Sequence, residues 1–108
     1  MIVYEVNLLV DRSVETQFSE WLQVHIREIL AIDGFVTARW FEIESVPEVD
    51  QVKKVEWSIQ YVLRDKKSLD EYFKKHAPRM RQNGIDRFGN KFSATRRVMK
   101  LKAKFAED

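Results

Sequence analysis

The chain has 108 residues, enough for one domain, and its three Trp, three Tyr and seven Phe supply material for a core. It has no cysteine, which excludes disulfides, thiolate nucleophiles and cysteine-based metal sites, and this fits a reducing cytosol. Three Gly, two Pro and no low-complexity segment argue against disorder, and the formal net charge is only +2.

That charge is unevenly spread. Residues 1–50 hold Arg12, Arg27 and Arg39 against ten acids, a net of −7. Residues 79–104 hold nine Lys or Arg against Asp86 alone, a net of +8. Such a split describes either a fold whose halves complement each other or a basic surface for an anionic partner.

The N-terminal run "MIVYEVNLLVDR" has no basic leader and carries Glu5 and Asn7 among its apolar residues, so it does not read as a signal peptide. No apolar stretch approaches the roughly 18 residues that cross a bilayer. The expectation is a soluble cytoplasmic protein that does not enter a membrane.

Residues 2–10 alternate as a strand, with Ile2, Tyr4, Val6, Leu8 and Val10 on one face and Val3, Glu5, Asn7 and Leu9 on the other. Asp11 and Ser13 are candidate helix caps. Val14, Phe18, Leu22, Ile26, Ile29 and Leu30 then recur at helical spacing, flanked by Trp21 and His25, and Gly34 is placed to end the helix. Residues 35–44 read as a second strand, broken at "SVPEVDQ" with Pro47 as the turn signal.

Residues 53–63 form the clearest strand. Val55, Trp57, Ile59, Tyr61 and Leu63 share one face, and Lys54, Glu56, Ser58, Gln60 and Val62 the other. Asp65 is a plausible cap for a second helix carrying Leu69, Tyr72 and Phe73, which should break near His76–Ala77 because Pro78 disfavours a helical residue before it. "PRMRQNGIDRFGN" reads as a short helical turn and a loop. "NKFSATRRVMKLK" is a fourth strand, and "AKFAED" a tail.

The order β-α-β-β-α-β predicts an α+β, ferredoxin-like fold over residues 1–108. Its antiparallel sheet would have strand order 4-1-3-2, with the helices on one face. Tyr4, Trp57, Ile59 and Tyr61 belong to the helix-facing core. The other face presents Glu5, Asn7, Glu56, Ser58 and Gln60, joined by Ser93, Thr95, Arg97 and Met99 if Phe92, Ala94 and Val98 face the helices. The second strand adds either Phe35, Thr37, Arg39 and Phe41 or Val36, Ala38 and Trp40; its alternation does not decide. Arg96 and Arg97 are neighbours and must point to opposite faces. Arg97 is placed to meet Glu5 or Glu56. Arg96 falls on the apolar side near the sheet margin, reaching water or an acid on a helix.

The polar face can remain solvated, pack on a second copy and enclose a chamber, or bind a nucleic-acid strand. RNA-recognition domains with this element order need exposed aromatics on the central strands, and none is expected there, so nucleic acid is disfavoured. Glu5 and Glu56 are the acid–base candidates, because two shielded carboxylates would have raised pKa values unless one is neutralised by Arg97. Asn7, Arg39, Ser58, Gln60, Thr95 and Arg97 are the candidate ligand-binding residues. His25 and His76 stand alone and read as structural or surface residues. No metal-ligand spacing, Gly-rich phosphate loop or nucleophile elbow is present, so no metal or cofactor is expected.

"YEVNLLV" at 4–10, "HAPRMR" at 76–81 and "RFGNKFSATRRV" at 87–98 resemble a small bacterial family of unknown function whose members have about this length. The resemblance implies a dimeric α+β barrel. That fold is similar to the cofactor-independent antibiotic-biosynthesis-type monooxygenases, haem-degrading monooxygenases and muconolactone isomerases. It carries over no catalytic residue. Haem-degrading relatives use a histidine ligand and a nearby asparagine, and neither role is assigned to His76 or Asn7. The expectation is a homodimer whose polar sheet faces enclose a small anionic or carbonyl ligand, with cofactor-independent monooxygenase or isomerase chemistry as the activity if it is an enzyme. The alternative is a non-enzymatic interaction module that binds a protein or nucleic acid through its basic C-terminal strand.

Overall fold

The computed structural model describes residues 1–44 and 51–106; most of the predicted turn, with Pro47, lies outside them. Four strands form one antiparallel sheet: β1 (Ile2–Asp11), β2 (Phe35–Glu42), β3 (Lys54–Leu63) and β4 (Phe92–Lys100). Their order is β2-β3-β1-β4, the predicted topology read from the other edge. Helices α1 (Glu15–Leu30), α2 (Lys66–Lys75) and α3 (Ala77–Phe88) cover one face. Among the described residues no helix is long and apolar enough to cross a membrane.

The core follows from alternation on the two central strands. Ile2, Tyr4, Leu8 and Val10 of β1 and Val55, Trp57, Ile59, Tyr61 and Leu63 of β3 are buried under the helices. They meet Phe18, Leu22 and Ile29 of α1, Leu69 and Tyr72 of α2, and Ala77, Met80 and Phe88 of α3. Each large side chain withdrawn from water contributes about 1.5–3 kcal/mol, which accounts for this aromatic-rich layer. Tyr4 stacks on Tyr61 with ring centres 5.9 Å apart, and Phe35 meets Tyr72 edge-on at 5.1 Å.

The second strand resolves its own ambiguity with a bulge. Phe35 pairs with Leu63 but Thr37 with Val62, so Val36 is an extra residue. Phe35 therefore faces the helices, and so do Ala38 and Trp40 after the bulge, while Thr37, Arg39 and Phe41 turn to the open face. Each alternative pattern from the sequence is right for part of the strand.

The segment after Pro78 is a full helix of 12 residues rather than a turn and loop. Pro78 sits in its first turn, where its missing N–H costs nothing. Ala77, Met80, Gly84 and Phe88 form its buried stripe. At Gly84 a side chain would come within 3.0 Å of Trp21, so the glycine permits α3 to lie close against α1. Tertiary packing here overrides the low helix propensity of Asn83 and Gly84. Asp65 caps α2 as expected, accepting a hydrogen bond from the Ser68 N–H at 2.8 Å.

Gly34 follows α1 with φ of 94°, and a Cβ there would fall 2.2 Å from that of Ser68. Both the backbone and the neighbour demand glycine. Gly34→Ala should lower stability by about 2–3 kcal/mol, read as a lower urea midpoint with an unchanged slope; an unchanged midpoint would refute this account of the α1–β2 turn.

Candidate functional site

The open face of the sheet is an ordered grid of four rows, fixed by strand register. Arg39, Gln60, Glu5 and Arg97 align across all four strands, and Phe41, Ser58, Asn7 and Thr95 form the adjacent row. Thr37, Val62, Val3 and Met99 lie on one side of this polar band. On the other, Leu9 pairs with Glu56 and Ser93, and Ile43 donates its N–H to the Glu56 carbonyl. The open face of β1 and β3 thus carries no aromatic side chain.

Glu5 is the centre of the grid. It is only 4% exposed, although it sits on the face the helices do not cover. Its Oε2 accepts from Arg97 Nε at 2.5 Å and from Asn7 Nδ2 at 3.0 Å; its Oε1 accepts from Gln60 Nε2 at 3.1 Å and Arg97 Nη2 at 3.4 Å. Hydrogen bonding to Arg97 is the largest influence on its pKa and outweighs desolvation, so the carboxyl lies below its ordinary value. A carboxylate held this way is a poor general base. The geometry selects the ion-pair alternative for Glu5 and Arg97.

Glu56 does not join that pair. It lies four residues from Gln60 on β3, about 13 Å along the strand. One of its carboxylate oxygens is buried without a hydrogen-bond partner among the described residues. The structure therefore brings together Glu5, Asn7, Gln60 and Arg97, places Ser58, Thr95 and Arg39 beside them by register, and leaves Glu56 two rows away. The Arg39 guanidinium makes no hydrogen bond or ion pair among the described residues.

A half-open hollow lies on the other side of the sheet. A cavity of about 310 Å³ opens between α1, α3, β1 and β4. Val6, Leu8, Phe18, Trp21, Ile59, Tyr61 and Phe92 supply much of its wall. Its polar margin comes from the side chains of His25, Arg81 and Arg96. His25 stacks on Trp21 with ring centres 4.5 Å apart, and burial, aided by the nearby Arg96 charge, brings its pKa down to about 4. The imidazole is therefore neutral at pH 7. Arg81 donates to the Tyr4 hydroxyl at 3.3 Å.

Sequence reasoning passed over His25 because one histidine beside a helical stripe has no distinctive spacing. The signal that could have found it was its place one helical turn after Trp21, combined with Arg96 on the same side of the sheet. Arg96 faces the helices as predicted but meets no acid among the described residues. His76 lies at the α2–α3 junction, stacked on Tyr72 and 3.5 Å from an Arg79 nitrogen. Among the described residues no group of three or more His, Cys, Asp or Glu could hold a metal ion.

Removing the Arg97 guanidinium leaves Glu5 buried with two neutral donors. Arg97→Ala should lower the urea midpoint at pH 7, because the buried Glu5 carboxylate loses its charged partner. Because the folded pKa of Glu5 lies below its reference value of 4.5, its stabilising effect is complete above that pH and lost as pH falls through the folded value. Glu5→Gln should flatten this acid limb of the stability profile; a limb identical to wild type would refute the assignment.

No curated protein matches the chain. Several solved structures share its fold. SnoaB from Streptomyces nogalater, described as a cofactor-independent oxygenase, has a TM-score of 0.66 at 11% identity, covering 98% of each chain. An antibiotic biosynthesis monooxygenase also has a TM-score of 0.66 at 11% identity, with 95% of this chain and 100% of that one covered. The de novo designed protein Foldit4 has a TM-score of 0.64 at 14% identity, over 94% of this chain and 98% of its own. At these identities the likeness establishes the fold alone. The family model described as a domain of unknown function, DUF4286, matches residues 1–102, and the chain belongs to that family.

Proposed function

We propose that this protein is a homodimer that binds a small, largely apolar molecule in the cavity between its helices and its sheet, with cofactor-independent oxygenase or isomerase chemistry as the activity. The observation that carries this reading is the 310 Å³ cavity walled by aromatic rings. Ligand pockets are typically concave and apolar, with a few polar groups that fix orientation. The open face suits a ligand less well, because Glu5, Asn7, Gln60 and Arg97 already satisfy one another.

The fold shared with a cofactor-independent oxygenase supports the class of chemistry. Oxygenation without a cofactor and isomerisation both begin by taking a proton from an activated substrate. In this reading the acceptor is the neutral His25, whose low pKa confines it to strongly activated, acidic substrates; Glu5 is committed to Arg97, and Glu56 lies on the other face. The dimer would form through the open face, where Val3, Leu9, Val62 and Met99 flank the closed polar band and Phe41 remains 42% exposed.

N-phenyl-1-naphthylamine, a neutral probe that fluoresces in apolar sites, should bind saturably to the wild-type protein. Ala94→Trp should abolish that binding by filling the cavity from β4 without changing the circular dichroism spectrum. Absence of saturable binding, or equal binding by the folded variant, would sink the cavity reading. Light scattering should give twice the chain mass for the wild type and the single mass for Phe41→Glu. A wild-type monomer would remove the dimer.

A further inference from the structure

The cavity has a charge pattern that its apolar walls do not require. Its lining includes the guanidinium residues Arg81 and Arg96, the imidazole of His25 and the tyrosines Tyr4, Tyr61 and Tyr72. Among the described residues, no Asp or Glu lines it. Every ionisable group at its margin is therefore a cation or a hydrogen-bond donor at neutral pH.

The two arginines differ in how far they are already used. Arg81 donates to the Tyr4 hydroxyl and lies 5.9 Å from the centre of the Phe73 ring. The Arg96 guanidinium makes no hydrogen bond or ion pair among the described residues. Its neighbour Arg97 points to the opposite face and is paired with Glu5. The charge of Arg96 is nonetheless felt in the interior, since it disfavours protonation of His25. An uncompensated guanidinium at the mouth of an aromatic cavity lacks only an anion, and its planar fork matches a carboxylate or another delocalised oxyanion.

We infer that the ligand is a planar aromatic oxyanion whose ring system enters the cavity and whose charged end is held by Arg96. This rests on the cavity reading above and adds the ligand's charge and the residue that selects it. The half-buried rings of Trp21 and Phe92 accept the flat body. Arg96 closes the mouth from the edge strand, where its side chain can swing onto the anion without disturbing the core.

The test uses two probes with one aromatic frame. N-phenyl-1-naphthylamine is neutral, and 1-anilinonaphthalene-8-sulfonate adds a single anionic group to the same skeleton. The sulfonate should bind the wild type saturably and compete with the neutral probe. Arg96→Gln should weaken the sulfonate about ten-fold or more, as expected for a lost charge-assisted contact, and leave the neutral probe within about two-fold. Lys102→Gln, which removes the same charge from the tail, should change neither. If the neutral probe binds but Arg96→Gln weakens both probes equally, or leaves the sulfonate unaffected, the anion assignment is overturned while the cavity stands. If the sulfonate fails to compete, the result is the same. If the neutral probe does not bind at all, the cavity reading falls and this inference with it.

Discussion

Two-residue alternation along β1 is the constraint on which the rest of the structure depends. Because β1 lies between β3 and β4, its residues from Ile2 to Val10 have a neighbour on both sides. Tyr4 and Leu8 build the helix-facing core, and Glu5 and Asn7 between them build the polar grid. Slipping the strand by one residue would drive a carboxylate into the aromatic layer and expose Tyr4. The ion pair of Glu5 with Arg97 reinforces the register, because it forms only when β4 lies opposite β1 in this alignment.

The two faces use charge in opposite ways. On the open face a carboxylate is withdrawn from water and surrounded by donors, at a site where Arg97 itself stays 67% exposed. Such an arrangement resists protonation and holds strands together. On the helix face Arg96 has no carboxylate partner among the described residues, and the histidine is held neutral. That arrangement leaves unused binding capacity beside apolar volume. The difference between Arg97 and Arg96 is thus one of partners, although the residues are adjacent and chemically identical.

The fold by itself says little about activity. A designed protein and a cofactor-independent oxygenase superpose on this chain about equally well. What distinguishes a ligand site from a packed scaffold is the volume left between α3 and the sheet and the groups lining it. Gly84 matters here, since it sets how near α3 approaches α1 at Trp21.

Much of the architecture was legible in the sequence. The alternation of β1 and β3, the Phe18–Leu22–Ile29 stripe, the Asp65 cap and the break before Pro78 are local patterns, and local sterics and hydrogen bonding enforce them. The opposed directions of Arg96 and Arg97 and the meeting of Arg97 with Glu5 were also readable, because register follows from topology. Three features were decided only by tertiary contacts. The Val36 bulge turns Phe35 inward and Thr37 outward. Packing on α1 and the sheet makes a helix of a segment with weak intrinsic propensity. The cavity with His25 and Arg96 arises where residues some seventy positions apart meet across incompletely filled space, and a one-dimensional pattern records which residues turn inward but not the volume they fail to fill.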